Sequence, residues 1–320
     1  MLPATIGYMK GRQNMKVHLV THPKCLEHSA GFGHPESPER LEAIIETLQE
    51  PRWGDRIVWH DAPEATFEQL TGVHQPEYLE LVRDSSRRGG ARLDPDTATN
   101  SASWDAALRA AGGAVEAALL ALREREGAFA AVRPPGHHAL ADRAMGFCLV
   151  NNVVVAAREA LAGEGIERVL IVDWDVHHGN GTQALVENDP SIRYVSMHQW
   201  PHYPGTGTEL ERGAGNIWNV PRPGGLSPDD YLRDLLGAIE EATDGWDPDL
   251  TLVSAGFDSM SLDPLAGFTL RAGDYGTITE ALLDRGAPVA GVLEGGYSLD
   301  NLTAGVSAFL DALTGEGGDS

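Results

Sequence analysis

Carboxylates and imidazoles crowd into Asp173-Trp174-Asp175-Val176-His177-His178-Gly179-Asn180-Gly181, directly after the apolar run 169–172. In extended backbone, alternate residues share a face, so Asp173, Asp175 and His177 point the same way. At ~3.3 Å per residue, the Cα atoms of Asp175 and His177 lie roughly 6–7 Å apart, a span that one ion with ~2 Å ligand bonds can bridge. Asp173 and His177 would lie ~13 Å apart on a straight strand. That spacing puts Asp173 behind the ligands rather than among them. Arg133-Pro134-Pro135-Gly136-His137-His138 follows a second apolar run, and its Pro-Pro-Gly turn holds two imidazoles at a fixed place. Two further runs end in Ser254-Ala255-Gly256-Phe257-Asp258 and Glu294-Gly295-Gly296-Tyr297. Taken singly, Asp258 serves equally well as a helix cap, Tyr297 as a packed aromatic, and the histidines as loop residues. Taken together, two carboxylates and one histidine leave a tetrahedral Zn2+ with an open position, the arrangement of a catalytic site. Such an ion acidifies water and polarises an acyl oxygen, a histidine takes the proton, and a phenol steadies the oxyanion. Hydrolysis of an amide or ester is the chemistry these parts can do.

The elements that must position these residues are legible as a βα alternation. Val-, Ile- and Leu-rich runs with little polar alternation predict strands over 16–21, 56–59, 128–132, 168–173, 192–198, 250–254 and 288–293. Helix patterns with start or stop signals predict helices over 104–122, 152–162, 228–242, 272–284 and 299–313. This order predicts an α/β fold: a single doubly wound, mainly parallel sheet with helices on both faces and its site at the carboxyl ends of the strands. No repeat or linker divides the chain. Residues 1–14 are expected as an N-terminal extension, 15–314 as the catalytic domain, and 315–320 as a disordered tail.

Composition excludes several classes. With 24 Lys and Arg against 47 Asp and Glu, the net charge is −23, which repels phosphate backbones and argues against direct nucleic-acid binding. The acidic excess favours cationic substrates or simply solvates the surface. No apolar run suits a membrane span or a signal peptide. The two cysteines, Cys25 and Cys148, fit a reducing compartment, so a cytoplasmic protein is expected.

The motifs RPPGHHA, MGFC, DWDVHHGNGTQ, SAGFD, DPL and EGGY, with HPESPERL before them, resemble those of the histone deacetylase and acetylpolyamine amidohydrolase superfamily in type and order. The wording is closest to class II and bacterial deacetylase-like members. The resemblance implies the arginase-type α/β fold and places zinc ligands on Asp175, His177 and Asp258. It implies His138 as general base, His137 paired with Asp173 as its more cationic partner, and Tyr297 at the transition state. The substrate-amide acceptor falls on the Gly146 carbonyl, the acyl tunnel walls on Phe147 and Tyr203, and the arginine near an internal acetate channel on Arg40. Asn180 stands where class I members have an aspartate; a neutral amide stabilises an imidazolium less, so His138 should keep a lower pKa and work better as a base near neutrality. Leu265 occupies a gatekeeper place where polyamine-selective relatives can carry glutamate, and so points toward acyl-lysine. An inner potassium site would draw on Asp173, Asp175, His177, Ser196 and Met197. The two-manganese arrangement of arginases needs an aspartate where this chain has Met260.

The expected function is a zinc-dependent amidohydrolase that removes an acetyl or similar acyl group from a primary amine such as acyl-lysine. An acetylpolyamine deacetylase is the alternative, supported by the acidic charge. A catalytically idle acyl-ligand-binding member is the remaining one. Homo-oligomerisation is left open by the sequence.

Overall fold

The computed structural model describes residues 15–316. The expected extension over 1–14 and residues 317–320 of the expected tail lie outside the described residues. The chain order is β1 (Val17–Thr21), α1 (Lys24–Glu27), α2 (Pro38–Leu48), β2 (Ile57–Asp61), α3 (Phe67–Thr71), α4 (Pro76–Arg87), α5 (Ser103–Glu124), β3 (Gly127–Ala130), α6 (Asn152–Leu161), β4 (Val169–Asp173), α7 (Asn180–Val186), β5 (Ile192–Gln199), β6 (Ile217–Arg222), α8 (Pro228–Thr243), β7 (Leu250–Ala255), α9 (Ala272–Leu283), β8 (Val289–Leu293) and α10 (Leu299–Thr314). Eight strands form one sheet in the order β2-β1-β3-β8-β7-β4-β5-β6, and every pairing is parallel.

Parallel strands cannot be joined by hairpins, so helices must cross over and cover the faces. The alanine-rich α5 packs under β1, β3 and β8 and against α6; α10 packs against α2 and α9. Strands β3, β4, β7 and β8 are buried along their whole length, which is why they read as uninterrupted apolar runs. The edge strands differ. Strand β2 buries only Ile57 and leaves its other four residues accessible, and β6 carries Pro221, a residue that a central ladder would exclude.

The sequence pattern did not predict α1 to α4, α7 or β6. At the C-terminus, Gly315 adopts a left-handed φ of 78° and donates to Ala312 O, while Glu316 N–H reaches Asp311 O. This Schellman-type cap carries the ordered chain into the first two residues of the expected tail.

One buried ion cluster ties the N-terminal segment to the sheet. Glu36 receives Arg133 through both carboxylate oxygens and Arg40 Nη1 at 3.2 Å, and all three side chains are sealed from solvent. Arg133 also donates to the carbonyls of Cys25 and His28. Burial opposes ionisation of Glu36, but the Arg133 guanidinium outweighs it and brings the carboxyl down to about 2. Because the folded value lies below the ordinary 4.5, this stabilisation is complete above pH 4.5 and disappears as pH falls toward 2. Arg133→Met should lower the unfolding free energy by about 3–5 kcal/mol at pH 7, since it takes the two-pronged partner from a buried carboxylate and leaves it only the single contact with Arg40. Urea unfolding between pH 2 and 7 checks both the loss and its flattened acid dependence; an unchanged midpoint at pH 7 contradicts the assignment.

Candidate metal centre and acyl pocket

Strand exits at one edge of the sheet bring the polar residues together. Asp175 and His177 follow β4, Asp258 follows β7, and Tyr297 follows β8. Ligand atoms of Asp175, His177 and Asp258 all lie within 4.8 Å of one another, and all three residues are buried. His177 Nδ1 faces Asp175 Oδ1 at 3.0 Å and Asp258 Oδ2 at 3.4 Å. The remaining carboxylate oxygens are fixed by backbone donors: Gly295 N–H to Asp175 Oδ2 at 2.8 Å and Val176 N–H to Asp258 Oδ1 at 2.9 Å. Asp258 Oδ2 is buried with no hydrogen-bond partner.

The electrostatics fit a cation. Burial and the facing Asp175 carboxylate push Asp258 up to about 7. Burial pulls the His177 imidazole down, yet its hydrogen bond to Asp175 and the facing Asp258 carboxylate hold it up at about 10. A proton on His177 thus sits between two carboxylates, in the place a divalent ion would take. A buried oxygen lacking a partner, beside an imidazole nitrogen and a second carboxylate, is the donor set of a hydrolytic metal site.

Around this cluster stand the other predicted residues. His137 Nδ1 donates to Asp173 Oδ2 at 3.1 Å, and Tyr194 hydroxyl donates to the same oxygen at 2.8 Å. His138 Nδ1 donates to Asn180 Oδ1 at 2.8 Å, and the two imidazoles lie 4.0 Å apart between centroids. Burial lowers His137, but the Asp175 and Asp173 carboxylates outweigh it and raise the ring to about 10. For His138, burial and the neighbouring His137 and His177 rings hold it well below the ordinary imidazole value. Asp173 terminates β4 and lies beside Ser196 of β5, with Met197 next along that strand. Tyr297 is partly buried and faces the pocket; Arg40 lies over its ring at 5.1 Å and donates through Nε to the Gly296 carbonyl at 2.7 Å.

A pocket of about 230 Å³ opens over the cluster, lined by Asp96, His138, Gly146, Phe147, His177, His202, Tyr203, Leu265 and Tyr297. Phe147 has a left-handed φ of 69°, strained for a phenylalanine, and is held by its N–H to Thr97 Oγ1 and by the edge of the His34 ring. Tyr203 packs edge-on against His138 at 5.1 Å. Cys148 is buried and donates from Sγ to the Gly146 carbonyl, and burial raises its thiol far above the reactive range.

The roles of several residues at this site were not readable in sequence. His202 stacks on His177 at 5.1 Å and donates from Nε2 to the Leu265 carbonyl. Asp263 accepts from Leu265 N–H and Tyr297 N–H, tying the gatekeeper loop to the tyrosine. Asp96, Tyr194 and Glu294 come from positions that look like surface, strand and strand-end residues. The motifs Asp263-Pro264-Leu265 and Glu294-Gly295-Gly296-Tyr297 were the available hints.

The fold and this cluster define a metal-dependent amidohydrolase. A model of the histone deacetylase domain matches residues 34–313, and the chain belongs to that family. An uncharacterized protein of Synechocystis sp. is 40% identical over 306 residues, covering 93% of this chain and 99% of that protein. A "probable deacetylase" of Archaeoglobus fulgidus is 38% identical over 299 residues, covering 89% of this chain and 82% of its own length. The crystal structure of the HDA15 HD domain superposes with a TM-score of 0.91 at 37% identity, covering 95% of this chain and 89% of that one. Among the described residues, no helix is long and apolar enough to cross a membrane.

Gly295 allows the cluster to close. A Cβ there would stand 2.1 Å from Asp258 Oδ2 and 2.5 Å from Asp175 Oδ2. Gly295→Ala should therefore fold, yet bind zinc about 10–100-fold more weakly, as when a group supporting a ligand is lost. Calorimetric zinc titration reads this directly, and wild-type affinity in the variant would contradict the assignment.

Proposed function

We propose that this chain is a zinc-dependent deacetylase that removes an acetyl or other short acyl group from a primary amine on a flexible chain, with acyl-lysine as the preferred substrate. The observation that carries this reading is the Asp175–His177–Asp258 cluster, which reaches through His177 a pocket lined by Phe147, Tyr203, His138 and Tyr297. Zinc bound by those three side chains would acidify water and polarise the acyl oxygen.

The chain's own residues supply the rest. Phe147 and Tyr203 flank the alkyl chain and exclude water, and the Gly146 carbonyl accepts the substrate amide N–H. Tyr297 donates its hydroxyl proton as a hydrogen bond to the acyl oxygen while charge develops there. His138, held neutral and oriented through Nδ1 by Asn180, takes the proton of the attacking water on Nε2. His138 then passes that proton to the departing amine, and the carboxylic acid formed gives up its own proton to that amine, yielding a carboxylate and an ammonium group. His137, charged and anchored on Asp173, stabilises the negative charge that builds nearby. Residues 15–314 form the catalytic unit of this reading. A potassium ion beside Asp173, Asp175, His177, Ser196 and Met197 belongs to it as well; support comes from Asp173 and Ser196 being register partners on β4 and β5. Two buried free cysteines support a cytoplasmic setting.

An acetylpolyamine substrate is the second reading, favoured by the net charge of −23 and by Asp96 in the pocket lining. Leu265 in the same lining opposes it by offering no countercharge to a second ammonium group. Leu265→Glu should raise kcat/KM for acetylspermidine relative to an acetyl-lysine peptide by about tenfold, the worth of ~1.4 kcal/mol from one added ion pair. A wild-type preference for the polyamine sinks the lysine assignment.

Two measurements test the core of the proposal. Metal-stripped protein should be inactive on a panel of acylated amines and regain turnover with zinc. Tyr297→Phe should keep its fold and zinc content but lose about 10²–10³ in kcat, the loss typical of one oxyanion donor; an unimpaired variant removes the tyrosine from the mechanism.

A further inference from the structure

Glu294 closes β8's exit and is fully buried, yet it lies outside both the metal cluster and the pocket lining. A single oxygen, Oε2, accepts two backbone donors from the tandem-histidine turn: Gly136 N–H at 2.6 Å and His137 N–H at 3.1 Å. Its other oxygen receives Ser254 Oγ from β7 at 3.3 Å. The turn is held on its remaining sides by Asn152 Nδ2 to Pro134 O and by Thr182 N–H to His137 O. Gly136 itself is pressed against α6, where a Cβ would fall 2.6 Å from Asn152 N. Asp173 of β4 holds the His137 ring, but among the hydrogen bonds of the described residues Glu294 is the only side chain that receives the backbone N–H groups of this turn.

We propose that Glu294 is a positioning residue for the reaction: its carboxylate sets how far the Gly136–His138 turn projects and so places the two imidazoles against the metal cluster. The inference rests on the deacetylase reading above. Acting through an acceptor oxygen rather than through charge, the role is reproduced by a glutamine. Glu294→Gln can keep one oxygen under both N–H groups and turn its amide toward Ser254 Oγ, which accepts. Glu294→Asp withdraws the acceptor by one methylene and must either pull the turn back or leave two buried donors unpaired.

The experiment measures kcat, KM and zinc content of holoenzyme for wild type, Glu294→Gln and Glu294→Asp, together with the imidazole NMR signals of His137 and His138. The expected result is that Gln keeps kcat within about threefold, while Asp loses about 10–100-fold in kcat with KM and zinc content unchanged, the scale of an ångström-size misplacement. Ring signals should move in Asp and stay in Gln. Equal damage in both variants means that charge is what matters and overturns the proposal, as does full kcat in Asp. A wild type inactive on every acylated amine defeats the proposed function alone, because the ring signals still report whether Glu294 places the turn.

Discussion

Buried carboxylates at the exits of β4, β7 and β8 impose the constraint on which the site depends. Asp173, Asp175, Asp258 and Glu294 are all sealed from solvent, and an uncompensated carboxylate there would cost several kcal/mol. The chain meets that demand mostly with its own backbone. Asp175 N–H goes to Asp173, His177 N–H to Asp175, Val176 N–H to Asp258, Gly295 N–H to Asp175, and Gly136 and His137 N–H to Glu294. Each loop is shaped by delivering a donor to a carboxylate that another loop supports. Ligands and loops thus fix one another, and the oxygen left over, Asp258 Oδ2, faces His177 Nδ1 where a cation belongs.

Such mutual support requires that the strand exits lie side by side, which the all-parallel sheet provides. Register pairs Asp173 with Ser254 on one side and with Ser196 on the other, and Ser254 with Val292 beyond. Every strand near the site ends at the same edge, so residues far apart in sequence arrive within hydrogen-bonding distance without a long loop. The Glu36–Arg133–Arg40 cluster extends the arrangement one layer inward, since Arg133 precedes the histidine turn and Arg40 grips the Gly296 carbonyl next to Tyr297.

How much of this was legible in the sequence follows from what periodicity can encode. The central strands announce themselves because burial on both faces leaves them uniformly apolar, and the long amphipathic helices α5, α8 and α10 carry clear start signals. Strand β6 was missed because Pro221 and Asn219 break the apolar pattern, as an edge strand permits. Helices α2 and α4 open with Pro38 and Pro76 and hold charged residues throughout, so they resembled loops although both prolines occupy favourable first-turn positions. At the site, local clusters of Asp and His were visible, and spacing singled out Asp175 and His177. Contributions from across the fold were not: Tyr194 beneath Asp173, His202 stacked on His177, and Glu294 under the histidine turn depend on sheet order, which no local spacing records.

The two neighbouring imidazoles show how identical side chains acquire different roles from their partners. His137 rests on a carboxylate shared with the Tyr194 hydroxyl, whereas His138 rests on the Asn180 amide. An amide oxygen orients the ring as a carboxylate would but adds no charge. With ring centroids 4.0 Å apart, two imidazolium ions would repel by about 4 kcal/mol at an effective dielectric of 20. Once Asp173 holds His137 charged, His138 is left neutral, with Nδ1 donating and Nε2 free to accept. In the proposed reaction the doubly charged pair arises only after the water has given up its proton, and the same repulsion then drives that proton on to the departing amine. The ring is thereby unprotonated and ready to accept when the reaction starts, and too unstable as an acid to stall it.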